Sequence, residues 1–251
     1  MGHCVVKNPA AGGGRWLEVP PERLVTWVVT FAERHGGAAL DRPVTAGESG
    51  VAVTFTAADG ATAECHPPFP PLPPFPPLPP APSGVPSAVR AAAEALAAHA
   101  AADRTVGVLL VRLGGYAVGV FSGSPPRLAG SKTGSRPVHG RSAAGGWSQQ
   151  RFARRRENQA ATALQAAADA AAEVFGRYGP DRLDAIVLGG DKRSAAGLAD
   201  DARLQKYLAK ATGRFLTVPD PRLAVLRDIP RAFLAIRIRL TEPESNSPVT
   251  G

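Results

Sequence analysis

Gly140-Arg-Ser-Ala-Ala-Gly-Gly-Trp-Ser-Gln-Gln-Arg-Phe-Ala-Arg-Arg-Arg-Glu-Asn-Gln159 starts as a loop of small residues and ends in the first turns of a helix. Gly145 and Gly146 free the backbone for tight or left-handed turns. Ser148 is a suitable N-cap, and no helix breaker follows until Gly176. The spacing predicts one helix, about 40 Å long at a rise of about 1.5 Å per residue. Phe152, Ala160, Ala163, Leu164, Ala167, Ala171 and Val174 recur along it at helical intervals and form the expected buried stripe. Most of them are alanine, which allows close packing on a sheet. A long helix with strand patterns on both sides sets the fold class: α/β, an α+β mixed sheet with packed helices.

Outward from that helix the patterns stay regular. On its N-terminal side, Val106–Val111, the Gly114-Gly115 turn and Tyr116–Phe121 read as the start of a β meander. A third strand over Arg127–Lys132 and a fourth around Arg136–His139 lead toward the Gly loop. On the C-terminal side follow a buried strand (Leu183–Leu188), a Gly189-Gly190-Asp191 loop, a helix over Ser194–Lys210 and a strand over Arg214–Val218. Phe233–Leu240 alternates like a last, edge-like strand.

The first part of the chain differs. Residues 1–19 are rich in glycine and expected to be irregular. Pro20-Pro21-Glu22 opens a helix whose apolar positions are Leu24, Trp27, Val28, Phe31 and Ala32, closed by Gly36-Gly37. Val51–Thr56 and Ala61–Cys65 flank Asp59-Gly60 as a hairpin. Cys65 and His66 suggest metal ligation only superficially, because neighbours on a strand face opposite ways. Residues 67–87 are dominated by proline and favour polyproline II, either as a spacer that packs Phe69, Leu72 and Phe75 or as a ligand for a proline-binding partner. An alanine-rich helix follows over Ser87–Ala102. The expected organisation is a helix–hairpin extension (1–66), a proline-rich linker (67–87), a main domain that carries the long helix (88–242) and a polar tail (243–251).

A net charge of +8 and a pI near 10.2 favour an anionic partner. The excess is local: no aspartate or glutamate occurs between Asp103 and Glu157. Arg112, Arg127, Lys132, Arg136, Arg141, Arg151, Arg154, Arg155 and Arg156 all lie in that gap. A basic helix face needs no such exclusion of carboxylates merely to be solvated, whereas contacts to phosphates reward it. Cys4 and Cys65 form no C-x-x-C pair, which points to a reducing compartment. The N-terminus lacks the pattern of a signal peptide, Val6 stands where N-myristoylation requires Ser or Thr, and no run of 18 uncharged apolar residues occurs. The expectation is a soluble cytoplasmic protein, with no membrane partner.

Ordinary catalytic groups are scarce. There is no nucleophile elbow, zincin helix or Walker loop. Asp184, Asp191 and Asp200 are too scattered for a two-metal nuclease, and His139 has no partner acid nearby in sequence. No metal site and no organic cofactor are expected. What remains is a pair of neutral amides, Gln149 and Gln150, on a glycine-bearing segment with a cationic stem.

At this segment the chain resembles a known family. Gly140-Arg141, Gly145-Gly146-Trp147-Ser148 and Arg151-Phe152-Ala153-Arg154 look like the GGQ segment in the central domain of eukaryotic and archaeal peptide-chain release factors. Aligned without gaps, the catalytic glutamine of those factors falls on Trp147, which has no primary amide. The release-factor-like peptidyl-tRNA hydrolases of ribosome quality control, the VLRF type, carry G-x-x-Q instead, and Gly146-Trp-Ser-Gln149 fits that pattern. The motif covers roughly residues 136–160, and the order of elements extends the likeness over about 104–240.

The resemblance implies a release-factor central-domain-like core and a peptidyl-tRNA hydrolase of stalled ribosomes or large subunits. Its partners would be peptidyl-tRNA and the peptidyl-transferase centre, and monomer is the default state. It implies Gln149, Gln150, Gly145 and Gly146 as the catalytic set. Lys132, Arg136, Arg141, Trp147, Ser148, Arg151, Arg154, Arg155 and Arg156 would contact RNA. Two other readings stay open on the residues alone: a nuclease acting near the tRNA acceptor end, and a non-catalytic module that binds rRNA or tRNA, with Trp147 stacked on a base.

Overall fold

The computed structural model describes residues 8–9, 13–40, 44–45, 51–72, 87–112, 114–135 and 148–243, and the side chains of 8–9, 40, 44–45, 51, 87 and 148–159 fall outside that description. The chain divides into two compact units, one of residues 1–102 and 234–251, the other of residues 103–233.

The first unit is an antiparallel sheet with two helices. Its strands are β1 (Asn8–Pro9), β2 (Arg15–Val19), β3 (Ala38–Leu40), β4 (Val44–Thr45), β5 (Val51–Ala57) and β6 (Thr62–His66), joined by a strand that returns from the far end of the chain, residues 236–241. Helix α1 (Pro21–Arg34) starts with proline in its first turn, and α2 (Ser87–Ala101) packs beside it. The core is made of Leu24, Val28, Phe31 and Ala32 of α1, Val89, Ala93 and Leu96 of α2, and the inward residues of the strands. The expected hairpin is present: β5 pairs with β6 from Val53↔Cys65 to Thr56↔Thr62. Its turn is closed by Asp59, whose Oδ1 accepts from Ala61 N at 3.0 Å and whose Oδ2 lies 2.7 Å from His35 Nδ1. Both interactions hold the Asp59 carboxyl below its usual range, the backbone bond more strongly.

Two sequence expectations change here. Residues 1–19 are not all irregular, because Arg-Trp-Leu-Glu-Val alternates and Leu17 and Val19 are buried in β2. The Ser87–Ala101 helix belongs to this first unit, and so does the last strand of the chain. That strand is interior rather than edge-like, pairing with β2 through Ile236↔Val19 and with β6 through Ile238↔Cys65. Ile236, Ile238 and Leu240 bury against the same core as Leu17, Val19 and Cys65, which outweighs sequence proximity to the second unit.

The second unit is a five-stranded mixed sheet. In chain order it holds β7 (Val106–Arg112), β8 (Gly115–Ser122), β9 (Arg127–Ser135), α3 (Ser148–Gly176), β10 (Ala185–Gly190), α4 (Lys192–Ala196), α5 (Ala202–Leu208), β11 (Ala211–Leu216), α6 (Leu223–Asp228) and α7 (Pro230–Leu234); the returning strand of the first unit is β12 (Ile236–Thr241). The spatial order is β11-β10-β7-β8-β9, with β7, β8 and β9 an antiparallel meander and β10 parallel to both β7 and β11. Central β7 is buried along Val106–Val111, so it reads as a continuous apolar run rather than an alternating one. Leu109, Val111, Val118 and Val120 meet α3 and α5 on one face. On the other, Phe121 stands edge-on to Phe233 at 5.7 Å, and a Cβ on Gly119 would press on Leu226 of α6. Gly190 ends β10 at φ +108, where a Cβ would run into the Val111 carbonyl, a place where only glycine fits. The helix expected over 194–210 is two short helices, because Asp201 caps a fresh start by accepting from Arg203 N.

Candidate functional site

The meander delivers the chain to the edge of the sheet. In β9, Thr133, Gly134 and Ser135 pair with Ala117, Tyr116 and Gly115 of β8. From Ser135 the sequence passes through residues 136–147 to Ser148, where α3 begins. Arg136, Arg141, Gly145, Gly146 and Trp147 lie outside the described residues, as do His139 and the fourth strand expected around 136–139.

Ser148, Gln149, Gln150 and Arg151 make the first turn of α3, within the 29-residue helix that the sequence predicts. Backbone N–H groups in such a turn have no acceptor inside the helix, and the positive end of the helix dipole lies there. By the helical period, positions 151, 154 and 155 share a face, with 156 about 100° further round.

The distal half of α3 anchors it. Ala167, Ala168, Ala170, Ala171, Val174 and Phe175 are buried, and Leu164 packs at the margin of the same core. Residues 161, 162 and 165 are exposed. At about 1.5 Å per residue, Ser148 lies about 24 Å along the axis from Leu164. The glutamines therefore sit at the far end of a helix whose other end is seated in the core.

Of the expected RNA contacts, Lys132 is the one whose side chain is described. Its ammonium pairs with Glu173 of α3, which also accepts from Arg177 at 2.6 Å. These bonds hold the Glu173 carboxyl below its usual range, the Lys132 bond first, and raise Lys132. A phosphate at Lys132 would have to compete with Glu173. The sequence shows the Glu173–Arg177 spacing but not the reach from α3 to β9. Arg112 is tied back as well, its Nη1 donating to Val218 O at 3.0 Å.

Two of the aspartates weighed for metal-dependent chemistry, Asp184 and Asp191, hold backbone groups instead. Asp184 accepts from Thr105 N at 2.6 Å. Asp191 caps α4, accepting from Arg193 N, Ser194 N and, at 2.7 Å, Ser194 Oγ. Among the described residues no three His, Cys, Asp or Glu side chains gather where they could hold a metal ion. Nor is any helix among them long and apolar enough to cross a membrane.

These features define a mixed α+β unit that carries the beginning of one long helix beyond a seated core. Residues 104–239 match the family model described as Actinobacteria/chloroflexi VLRF1 release factor. That stretch is more than half of the chain, and the protein belongs to this release-factor family. No curated protein sequence matches the chain. Family membership places the protein in translation, in association with the ribosome.

Proposed function

We propose that the protein is a cytoplasmic peptidyl-tRNA hydrolase that frees nascent chains from stalled ribosomes or large subunits without reading a codon. The observation that carries this reading is the position of Gln149 and Gln150 in the first turn of α3, separated by two residues from Gly145-Gly146 in sequence. Water attacks the carbonyl carbon of the ester, the tRNA ribose oxygen leaves and takes up the proton, and the peptide departs as an acid. Such an ester is activated and needs little beyond a placed water and a stabilised oxyanion. The Gln149 amide orients the water, while N–H groups of the helix start, at the positive end of the dipole, face the developing negative charge. Gly145 and Gly146 let the backbone come close to RNA, and Arg151, Arg154, Arg155 and Arg156 set the register by binding phosphates. Arg136, Arg141, Trp147 and Ser148 complete the contact, and no cofactor enters the reaction.

A single-turnover assay on peptidyl-tRNA bound to purified large subunits tests this. Gln149→Ala is expected to slow release by about 10²–10³-fold, the usual cost of one lost preorganised donor, while subunit binding survives. Full release by that variant would sink the assignment to Gln149, and a loss confined to Gln150→Ala would move it one residue. The released tRNA must keep an intact 3′ end; a shortened one would mean nuclease action.

A further inference from the structure

A cleft of about 620 Å³ opens in the second unit beside the last residues of β9. Three separate segments build it: Arg112 from the end of β7, Thr133, Gly134 and Ser135 from the end of β9, and Asp220 and Arg222 from the chain before α6. Its volume falls within the range of about 300–1,000 Å³ usual for small-ligand sites. Arg112, Asp220 and Arg222 are all exposed. Arg112 spends one of its five donors on Val218 O, which fixes the guanidinium without exhausting it. Gly134 lies between Thr133 and Ser135 in the wall, and a Cβ on it would run into the Tyr116 ring.

Two guanidinium groups call for an anion with several acceptor oxygens, and phosphate matches their fork geometry. The carboxylate of Asp220 narrows the choice. It repels a ligand that is only anionic and requires a donor close to the anion. A ribose supplies one, because its hydroxyls lie beside the phosphate, and the 2′-hydroxyl is the group that distinguishes RNA from DNA. Thr133 and Ser135 suit the remaining sugar and phosphate oxygens. The wall strand also runs from Ser135 directly into the segment that carries Gly145–Gln150.

We propose that the cleft holds one ribose-phosphate unit of an RNA strand, with Arg112 and Arg222 on the phosphate and Asp220 accepting from the 2′-hydroxyl. This rests on the RNA-directed reading above for its partner, but not on hydrolysis. The site anchors an RNA strand at the root of the catalytic segment.

The test is fluorescence anisotropy of the full chain with a short labelled single-stranded RNA, its DNA counterpart, and unlabelled ribose 5-phosphate as competitor. Arg222→Ala is expected to weaken RNA binding on the order of tenfold at low salt. It also lowers the slope of log affinity against log salt by about 0.7, the value for one lost contact on a single strand. Arg222→Lys keeps the slope, which separates loss of charge from loss of fold. Asp220→Ala brings RNA affinity toward that for DNA. An unchanged slope in Arg222→Ala, or an unchanged RNA preference in Asp220→Ala, overturns the proposal. Ribose 5-phosphate displacing the RNA as well as an unlabelled strand does would assign the cleft to a free sugar phosphate and overturn the strand assignment. Peptide release separates the two readings: if the wild type releases no peptide while Arg222→Ala loses RNA binding, the hydrolase assignment fails and the cleft stands.

Discussion

His66 and Cys65 show how one step along a strand changes a residue's chemistry. Cys65 points into the core of the first unit, and burial pushes its thiol well above the usual range, so it is expected to resist alkylation while the protein is folded. His66 points to the opposite face, where its ring centroid lies 5.2 Å from that of Trp16 and its Nε2 lies 3.0 Å from Glu64 Oε1. Arg237 stacks 4.3 Å from the centroid of the same Trp16 ring. Desolvation is the largest influence on His66; Arg237 and Arg239 add to it, Glu64 opposes it, and the net effect lowers the imidazole below its usual 6.5. The folded state therefore gives up a proton that the unfolded chain would keep. That stability is fully present above pH 6.5 and is lost as pH falls toward the lowered folded value. Chemical denaturation of wild type and His66→Gln across pH 5 to 8 checks this. The wild type should lose more stability on the acid side than the variant, and parallel curves would refute the role of His66.

At the scale of elements, α3 is the part most legible in the sequence. Its N-terminal serine, unbroken length and alanine spacing are all local properties, and the helix runs over Ser148–Gly176 as they predict. Among its described side chains, from Ala160 onward, the buried ones begin at Ala167 and include Ala168 and Ala170, which the sequence stripe does not hold. Alanines let α3 lie close to β7 and β8, and a larger side chain there has no room. Ala171→Leu is expected to cost about 1–3 kcal/mol through overpacking, seen as an earlier denaturant midpoint. A midpoint equal to wild type would mean that α3 is not closely packed at that turn. The split of α4 from α5 was readable in principle, because Asp200-Asp201 offers a capping carboxylate in the middle of the expected helix. Apolar spacing alone concealed it.

At the scale of the molecule, the first unit is discontinuous in sequence. β2 and β6 meet only through β12, whose residues follow the whole of the second unit. Truncation after Phe233 removes that strand and leaves two rows of backbone groups without partners. Hydrogen exchange should then show protection lost in β2 and β6 while β7, β8 and β10 keep theirs. Retained protection in β6 would show that the sheet closes without β12.

What the sequence determined by itself is therefore local: the long helix, the hairpin at Asp59-Gly60, the acid-free basic stretch, and the G-x-x-Q spacing at the head of α3. Each depends on residues within a few turns or one loop of each other, where periodicity and capping act directly. Tertiary structure alone decided that β12 lies between β2 and β6, that α2 sides with the first unit, that Lys132 pairs with Glu173, and that Arg112, Asp220 and Arg222 share a cleft. These depend on which apolar faces bury together and which charges that burial then brings close. Neither is written in the spacing of any single segment.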